Sequence, residues 1–492
     1  MVRQVVSPDM QIAMRRRSSS GAIALIFALA FATRFVLALA FPAEGGDWPT
    51  YATIADNILR GCGVSLSVPA DGDCRPHFGG NHLPGYPLFV AAIWRVSGAS
   101  EAMIRVVQCL LCALAIARLA AAVRAFSGSG GAALAAGIVL ALSPLTIGWP
   151  RYLVTEGISI AVAIWLLAEC VASLTDRRLR WISLSLAVIA GGWLRWDGFL
   201  LAVPVALTAF MVERPARAVA RCAGVGALVA LTLAGWTWRN HRAGLPLAPP
   251  IAVIEKSNAP SPYGYVAWGA TWATTEYQRV AWLWPLTFMR YSGVRVDSSA
   301  WDSPEEQARV VKLLDDLKSW DGRPFPPALD AQFSDLARER AARAPLRTYV
   351  QLPAERALAL WSNPFSSFGL PSEIPADFSR GQVNVQSGWV EIARAYPGQT
   401  ITKMLTTFYR IVTMAGFAAA LVLSFCGAPK PSREIMLLTT GWIVARTLFF
   451  ALTDNIETRF LAPMIPALEL ATVFVLFGWV HKVARRSLKL FR

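Results

Sequence analysis

Ten apolar runs, most of them near the length of a bilayer crossing, constrain this chain more than anything else in it. They occupy 22–41, 102–125, 132–149, 153–174, 181–195, 197–212, 218–238, 401–426, 435–453 and 459–480. A transmembrane helix needs about 20 predominantly apolar residues. Backbone in hydrocarbon must satisfy its own hydrogen bonds, so such runs fold as helices. Only 16% of the 492 residues are charged, against about 25% in a soluble domain. The expected fold class is an all-α polytopic membrane protein of about 10 transmembrane helices with a mostly helical outer-face domain.

The net charge of +15 is informative through its placement. Arg15–Arg17 precede the first run, Arg177, Arg178 and Arg180 fill one short loop, and Arg214, Arg217 and Arg221 another. Lys482, Arg485, Arg486, Lys489 and Arg492 end the chain. Basic clusters beside spans mark the cytoplasmic side, so the charge reads as topology and not as nucleic-acid binding. With ten crossings from an inside N-terminus, every basic loop falls inside. Segments 43–100 and 239–400 then fall outside. The expected organisation is 1–238, a transmembrane module with its first outer loop at 43–100; 239–400, an outer-face domain; and 401–492, the last spans. The first run follows a basic stretch as a signal peptide would, but its length and the poor cleavage site at Pro42–Glu44 suit an uncleaved helix.

Within the outer segment, Asp302-Ser303-Pro304-Glu305-Glu306 reads as a helix start, followed by an apolar period through Glu305–Trp320. A second helix is expected over Asp330–Ala342, and an amphipathic interfacial helix over 348–361. Trp268, Trp272, Trp282, Trp284 and Trp301 are open to two readings, stacking on sugar rings or an interface belt. Cys109 and Cys112, though spaced as CxxC, lie in an apolar run and read as small buried residues. Cys62 and Cys74 fall in the first outer loop and can pair if that loop meets an oxidising compartment.

Several outer-side motifs carry chemistry. After the first run comes Gly45-Gly46-Asp47-Trp48-Pro49-Thr50-Tyr51, then a helical stretch ending at Arg60-Gly61-Cys62-Gly63, then Asn81-His82-Leu83-Pro84-Gly85-Tyr86-Pro87. Asp47 is either a base at the membrane surface or a helix N-cap. Later come Pro144–Glu156 (PLTIGWPRYLVTE), Gly191–Gly198 (GGWLRWDG), Trp236-Thr237-Trp238-Arg239-Asn240, and Glu457-Thr458-Arg459-Phe460 with Pro463 and Pro466.

In this order, these motifs resemble the GT-C class of membrane glycosyltransferases, in particular the branch of protein mannosyltransferases and lipid A aminoarabinose transferases. The resemblance implies an inverting transfer of a sugar from a polyprenyl-phosphate donor to an envelope acceptor (lipid, glycan or protein). It further implies a multi-pass protein of the bacterial inner membrane, in contact with the lipid bilayer, with its site on the periplasmic face. The chain departs from the pattern at Trp48, where many relatives carry a second acid.

On this reading Asp47 is the catalytic base, and Arg459, Arg239 and Arg195 hold the donor phosphate by bidentate hydrogen bonds. Snorkelling anchors are the alternative for each arginine. Tyr51, His82, Tyr86, Arg151, Tyr152, Glu156, Asn240 and Glu457 are candidate substrate contacts. Glu156 has three open roles: holding the acceptor, assisting the base, or pairing with Arg151. No motif demands a cofactor or a metal. A divalent ion on Asp71, Asp73, His77 and His82 is the one candidate, and their spacing matches no compact zinc pattern. A transporter of lipid-linked sugars is the competing function, but such proteins are built on repeats and none is visible here.

Overall fold

The computed structural model describes residues 8–66, 74, 76, 82–245, 253–254, 259–363, 368–373 and 389–490. Among them, seven helices are long and apolar enough to cross a membrane: Gly21–Ala40, Glu101–Ser127, Thr155–Asp176, Pro215–Arg242, Pro397–Phe425, Lys430–Leu452 and Thr458–Lys482. Three shorter apolar helices, Gly130–Leu142, Trp181–Leu194 and Trp196–Val212, complete the ten expected segments. Thr155–Asp176 is the most buried and lies at the centre of the bundle, packed against Glu101–Ser127 and Trp181–Leu194.

The short helices have physical causes. The run 132–149 does not stay helical, because Pro144 and Pro150 remove donors and clash with the preceding turn. Its helix stops at Leu142, inside the bundle. The orphaned carbonyls are taken up by a buried cation of the first span. The Arg34 guanidinium donates to the Ala141 oxygen at 2.9 Å and the Leu140 oxygen at 3.0 Å. The last carbonyls of a helix otherwise stay unpaired, which apolar surroundings make expensive.

Trp181–Leu194 and Trp196–Val212 meet at Arg195, whose backbone is extended (φ −148°, ψ 139°). The two legs touch backbone to backbone. A Cβ on Gly198 would lie 2.0 Å from the Gly191 carbonyl oxygen. That close approach explains the glycines of GGWLRWDG and presents Arg195 and Asp197 together at the turn.

The loop carrying Asp47 is strapped to the chain before the central helix. Ala43 forms a parallel bridge with Tyr152, and its N–H donates to the Arg151 oxygen at 3.2 Å. Gly45 has φ +83°, and a Cβ there would meet Val154 Cγ1 at 2.6 Å. Helix Trp48–Leu59 follows, then Gly85–Ser97. A Cβ on Gly85 would strike the Trp193 carbonyl at 2.5 Å, so this second helix starts hard against the end of Trp181–Leu194. Cys62 and Cys74 are disulfide-bonded, closing the first outer loop.

In the segment between Arg242 and Pro397, the helix expected from 305 runs Pro304–Lys318, with Ser303 as its cap. The other runs Pro327–Arg343. A two-residue antiparallel pair, Val253–Ile254 with Ala259–Pro260, precedes them. Three of the tryptophans resolve differently from either expectation. Trp268, Trp272 and Trp282 are buried with Tyr265, Phe325 and Phe333 in a separate apolar core. They hold the outer helices together and offer no face to a sugar. The stretch 348–361 forms a π turn, Arg347–Gln351, continuing into Leu352–Ser362. Its inner face buries Arg356, which donates to the Ala273 oxygen at 2.8 Å and pairs with Asp454 at 3.1 Å. Its outer face leaves Leu346, Tyr349, Val350 and Leu358 exposed.

Two measurements check this architecture. Gly198→Ala should destabilise by about 1–3 kcal/mol, as overpacking does, read as a lowered unfolding temperature in detergent. For sidedness, Gln332→Cys should react with an impermeant maleimide added outside, whereas the exposed native Cys426 should react only after permeabilisation. Labelling of Cys426 from outside would overturn the ten-crossing topology.

Candidate functional site

Asp47 occupies the N-cap position of Trp48–Leu59 but does not cap it. Its backbone is in the right-handed helical region (φ −87°, ψ −10°), and its side chain accepts no cap hydrogen bond. Capping residues normally sit in the β region, which aims the side-chain oxygen at the helix N–H groups. Here the carboxylate turns away from its own helix. Oδ2 lies 3.4 Å from Arg459 Nη1, and Oδ1 lies 3.5 Å from His82 Nε2. His82 and Tyr86 both pack near Tyr51, whose ring centroid is 4.9 Å from each of theirs. The Tyr86 hydroxyl donates to Gln108 at 3.1 Å.

From Asp47 a chain of alternating charges runs into the bundle. Arg459 Nε pairs with Glu457 at 2.7 Å and approaches Glu156 at 3.8 Å. Glu156 pairs with Arg195 at 2.9 Å, and Arg195 Nε pairs with Asp197 at 2.9 Å. Asp197 is bound at its far side by Arg446, which also donates to the Phe460 carbonyl at 2.9 Å. On the outer-domain side, Glu457 is held by Arg279 at 2.7 Å. The Phe460 ring lies under both Arg195 and Arg459, at 4.8 and 5.4 Å. Four arginines (Arg446, Arg195, Arg459, Arg279) thus face four carboxylates (Asp197, Glu156, Glu457, Asp47). Exposure falls along the chain, from 37% at Asp47 and 35% at Arg459 to 1% at Glu156 and Asp197. A ligand therefore meets Asp47 and Arg459 first.

The electrostatics follow the neighbours. Burial alone would raise the Asp47 carboxyl, but the His82 hydrogen bond and the Arg459 charge outweigh it and hold it well below the ordinary range. Burial likewise pushes Glu457 up, and Arg459 and Arg279 more than reverse it. Glu276 goes the other way, raised by burial and by the nearby Glu457 charge. It accepts from Asn363 Nδ2 at 2.7 Å and from the Thr458 N–H at 3.4 Å.

The structure thus brings together Asp47, Tyr51, His82, Tyr86, Glu156, Arg195, Glu457 and Arg459. Arg151 and Tyr152 sit apart as clamps. The Arg151 guanidinium is 3% exposed and is spent on the Phe41 and Gly369 carbonyls, the Tyr152 hydroxyl and Glu373. It is therefore not the partner of Glu156. Arg239 donates to the Val64 carbonyl at 2.6 Å and to Asn240 at 2.9 Å, and none of the described contacts brings either residue to the Asp47–Arg459 pair. Asp71, Asp73 and His77 lie outside the described residues. Among those described, no group of three His, Cys, Asp or Glu side chains is arranged to hold a metal.

Four residues of the charge chain and its border went unmarked in the sequence. Arg446 is a cation inside an apolar run, itself a signal of function or pairing. Asp197 stands beside Arg195 in the quoted hairpin. Arg279 and Glu276 carried no signal among the many charges of the outer segment.

No family model and no curated protein matches the chain. Solved structures similar to it include the following two. ArnT from Cupriavidus metallidurans bound to undecaprenyl phosphate has 16% sequence identity and a TM-score of 0.40, over 92% of this chain and 78% of that one. ArnT from Cupriavidus metallidurans in the apo state has 15% identity and a TM-score of 0.38, over 93% and 78%.

The gradient of burial predicts stability effects of very different size at the buried and exposed carboxylates. Asp197→Ala leaves Arg195 and Arg446 buried without their counter-ion and should cost about 3–5 kcal/mol. Asp47→Ala, at the mouth, should cost no more than about 1 kcal/mol. Unfolding temperatures of the two variants in one detergent make the comparison.

Proposed function

We propose that the chain is an inverting glycosyltransferase that moves a sugar from a polyprenyl-phosphate donor to an acceptor hydroxyl at the outer membrane surface. The observation that carries this is the Asp47 carboxylate, which gives up the helix cap beneath it and faces an arginine able to bind phosphate. Ion pairs buried in a membrane protein are costly and usually mark function.

The reaction runs as follows. The donor phosphate takes the outward Nη face of Arg459, where a guanidinium makes two parallel hydrogen bonds. Asp47 accepts the acceptor's O–H proton as the acceptor oxygen forms its bond to the anomeric carbon. The bond from that carbon to the phosphate oxygen breaks on the opposite face, its electron pair leaving with the lipid phosphate. Arg459 stabilises the charge that develops there. While paired to Arg459, Asp47 is a weak base, because the guanidinium favours its ionised form. A phosphate that draws off this guanidinium frees Asp47, so proton abstraction is favoured only with donor in place. Glu457, fixed by Arg279, and Glu156, fixed by Arg195, keep Arg459 from following the ligand out. His82 and Tyr51 border the space where acceptor and sugar meet.

Radiolabel transfer from a polyprenyl-phosphate sugar by the purified protein tests the reading. Asp47→Asn preserves size and any capping ability, yet should lower transfer by about a hundredfold to ten-thousandfold, the usual worth of a general base. An active Asn variant would remove the base assignment.

The pH profile gives a second check. A carboxylate with a depressed pKa is ionised above that pKa and protonates only as pH falls through it. The wild-type acid limb of kcat/KM, which reports the free enzyme, should therefore lie below the ordinary Asp value of about 3.9. Arg459→Gln removes the charge that holds Asp47 down, so its residual activity should show an acid limb at higher pH. An unmoved limb would uncouple the two residues.

A further inference from the structure

The central helix Thr155–Asp176 carries Glu156 at one end. About 30 Å away along its axis, at 1.5 Å per residue, its other end borders a second site. There it and Trp181–Leu194 enclose a cavity of about 850 Å³. The walls are apolar, including Trp165, Ile182 and Leu186, which are 41%, 60% and 62% exposed and so open the cavity sideways to the hydrocarbon. The polar end carries Arg178, Arg180 and Trp181, together with the carboxylates of Glu169 and Asp176.

The charges at this end do not cancel. Arg180 is committed to Asp176 at 2.8 Å and to Glu169 at 3.4 Å. Arg118 takes the other oxygen of Glu169 at 2.7 Å, and Arg177 binds Glu434 at 2.7 Å. Arg221 lies over the Trp181 ring at 5.1 Å. The exposed Arg178 side chain has no hydrogen bond or ion pair among the described residues, which leaves a cation unmatched beside an apolar cavity.

We infer that this cavity is a binding site for an anionic phospholipid of the leaflet facing the basic loops, its phosphate on Arg178 and an acyl chain against Trp165 and Leu186. A guanidinium suits a phosphodiester. Basic pockets between spans at the cytoplasmic surface are a known way of holding anionic headgroups. A zwitterionic lipid would gain little from the unmatched cation, and free phosphate would leave the apolar walls empty. The site lies at the opposite end of the bundle from Asp47, so its occupant is distinct from the donor proposed above.

The test uses the full chain in nanodiscs of phosphatidylcholine and phosphatidylglycerol, the latter with a photoreactive acyl chain, followed by native mass spectrometry and adduct mapping. Phosphatidylglycerol should be retained over phosphatidylcholine, with adducts between Trp165 and Leu186. Arg178→Gln should weaken that retention about tenfold, the worth of one charge-assisted hydrogen bond, while excess inorganic phosphate should not displace the lipid. Arg178→Gln removes no described contact, and unchanged unfolding in pure phosphatidylcholine would show the variant intact. Equal retention of both lipids, adducts confined to other surfaces, displacement by inorganic phosphate, or unaltered retention in Arg178→Gln would each overturn the site.

Discussion

The neutral, alternating chain of arginines and carboxylates from Arg446 to Arg279 is the interaction on which the rest of the site depends. Its eight members come from six stretches of sequence: the penultimate span, the hairpin turn, the start of the central helix, the start of the last span, the loop after the first span, and the helix that carries Arg279. Isolated, any of these charges at a bundle end would be expensive to bury. Joined in alternation, each screens its neighbours, and the elements that carry them are drawn to one point. The chain also helps to connect the helices of the 259–343 segment to the bundle, since Arg279, and Glu276 beside it, meet Glu457 and Thr458 where the last span begins.

Backbone details deliver the outermost member. The strap between Ala43 and Tyr152 and the close approach of Gly45 to Val154 fix the loop that leaves the first span. Arg151, clamped on the Phe41 and Gly369 carbonyls, secures the same exit from below. With the loop so held, Trp48–Leu59 begins in a conformation that turns Asp47 off its cap. Rigid support of this kind places a side chain more reliably than a free loop would.

Much of this was legible from residues alone. The spans follow from hydropathy, because hydrocarbon leaves the backbone no alternative to helix. The convergence of Asp47, Glu156, Arg195 and Glu457-Thr458-Arg459 follows from their common position at span ends. Other features were not legible. That Glu156 would take Arg195 instead of Arg151, five residues before it, depends on the Gly191–Gly198 contact that turns Arg195 inward. The capping of the helix end at Leu142 depends on Arg34, about a hundred residues away in sequence. The buried role of Trp268, Trp272 and Trp282 depends on the outer helices packing on each other, which periodicity within one helix does not reveal.

In the proposed reaction, Asp47 and a lipid phosphate compete for Arg459, with Asp47 serving as base once the phosphate has won. Affinity for undecaprenyl phosphate, measured on Asp47→Asn and Arg459→Lys beside the wild type, tests it most directly. Asp47→Asn removes the competitor and should bind the lipid phosphate at least as tightly as wild type, although its transfer is strongly reduced. Arg459→Lys, with a point charge in place of the fork, should bind it more weakly. Weaker binding by Asp47→Asn, in step with its loss of transfer, would contradict the account.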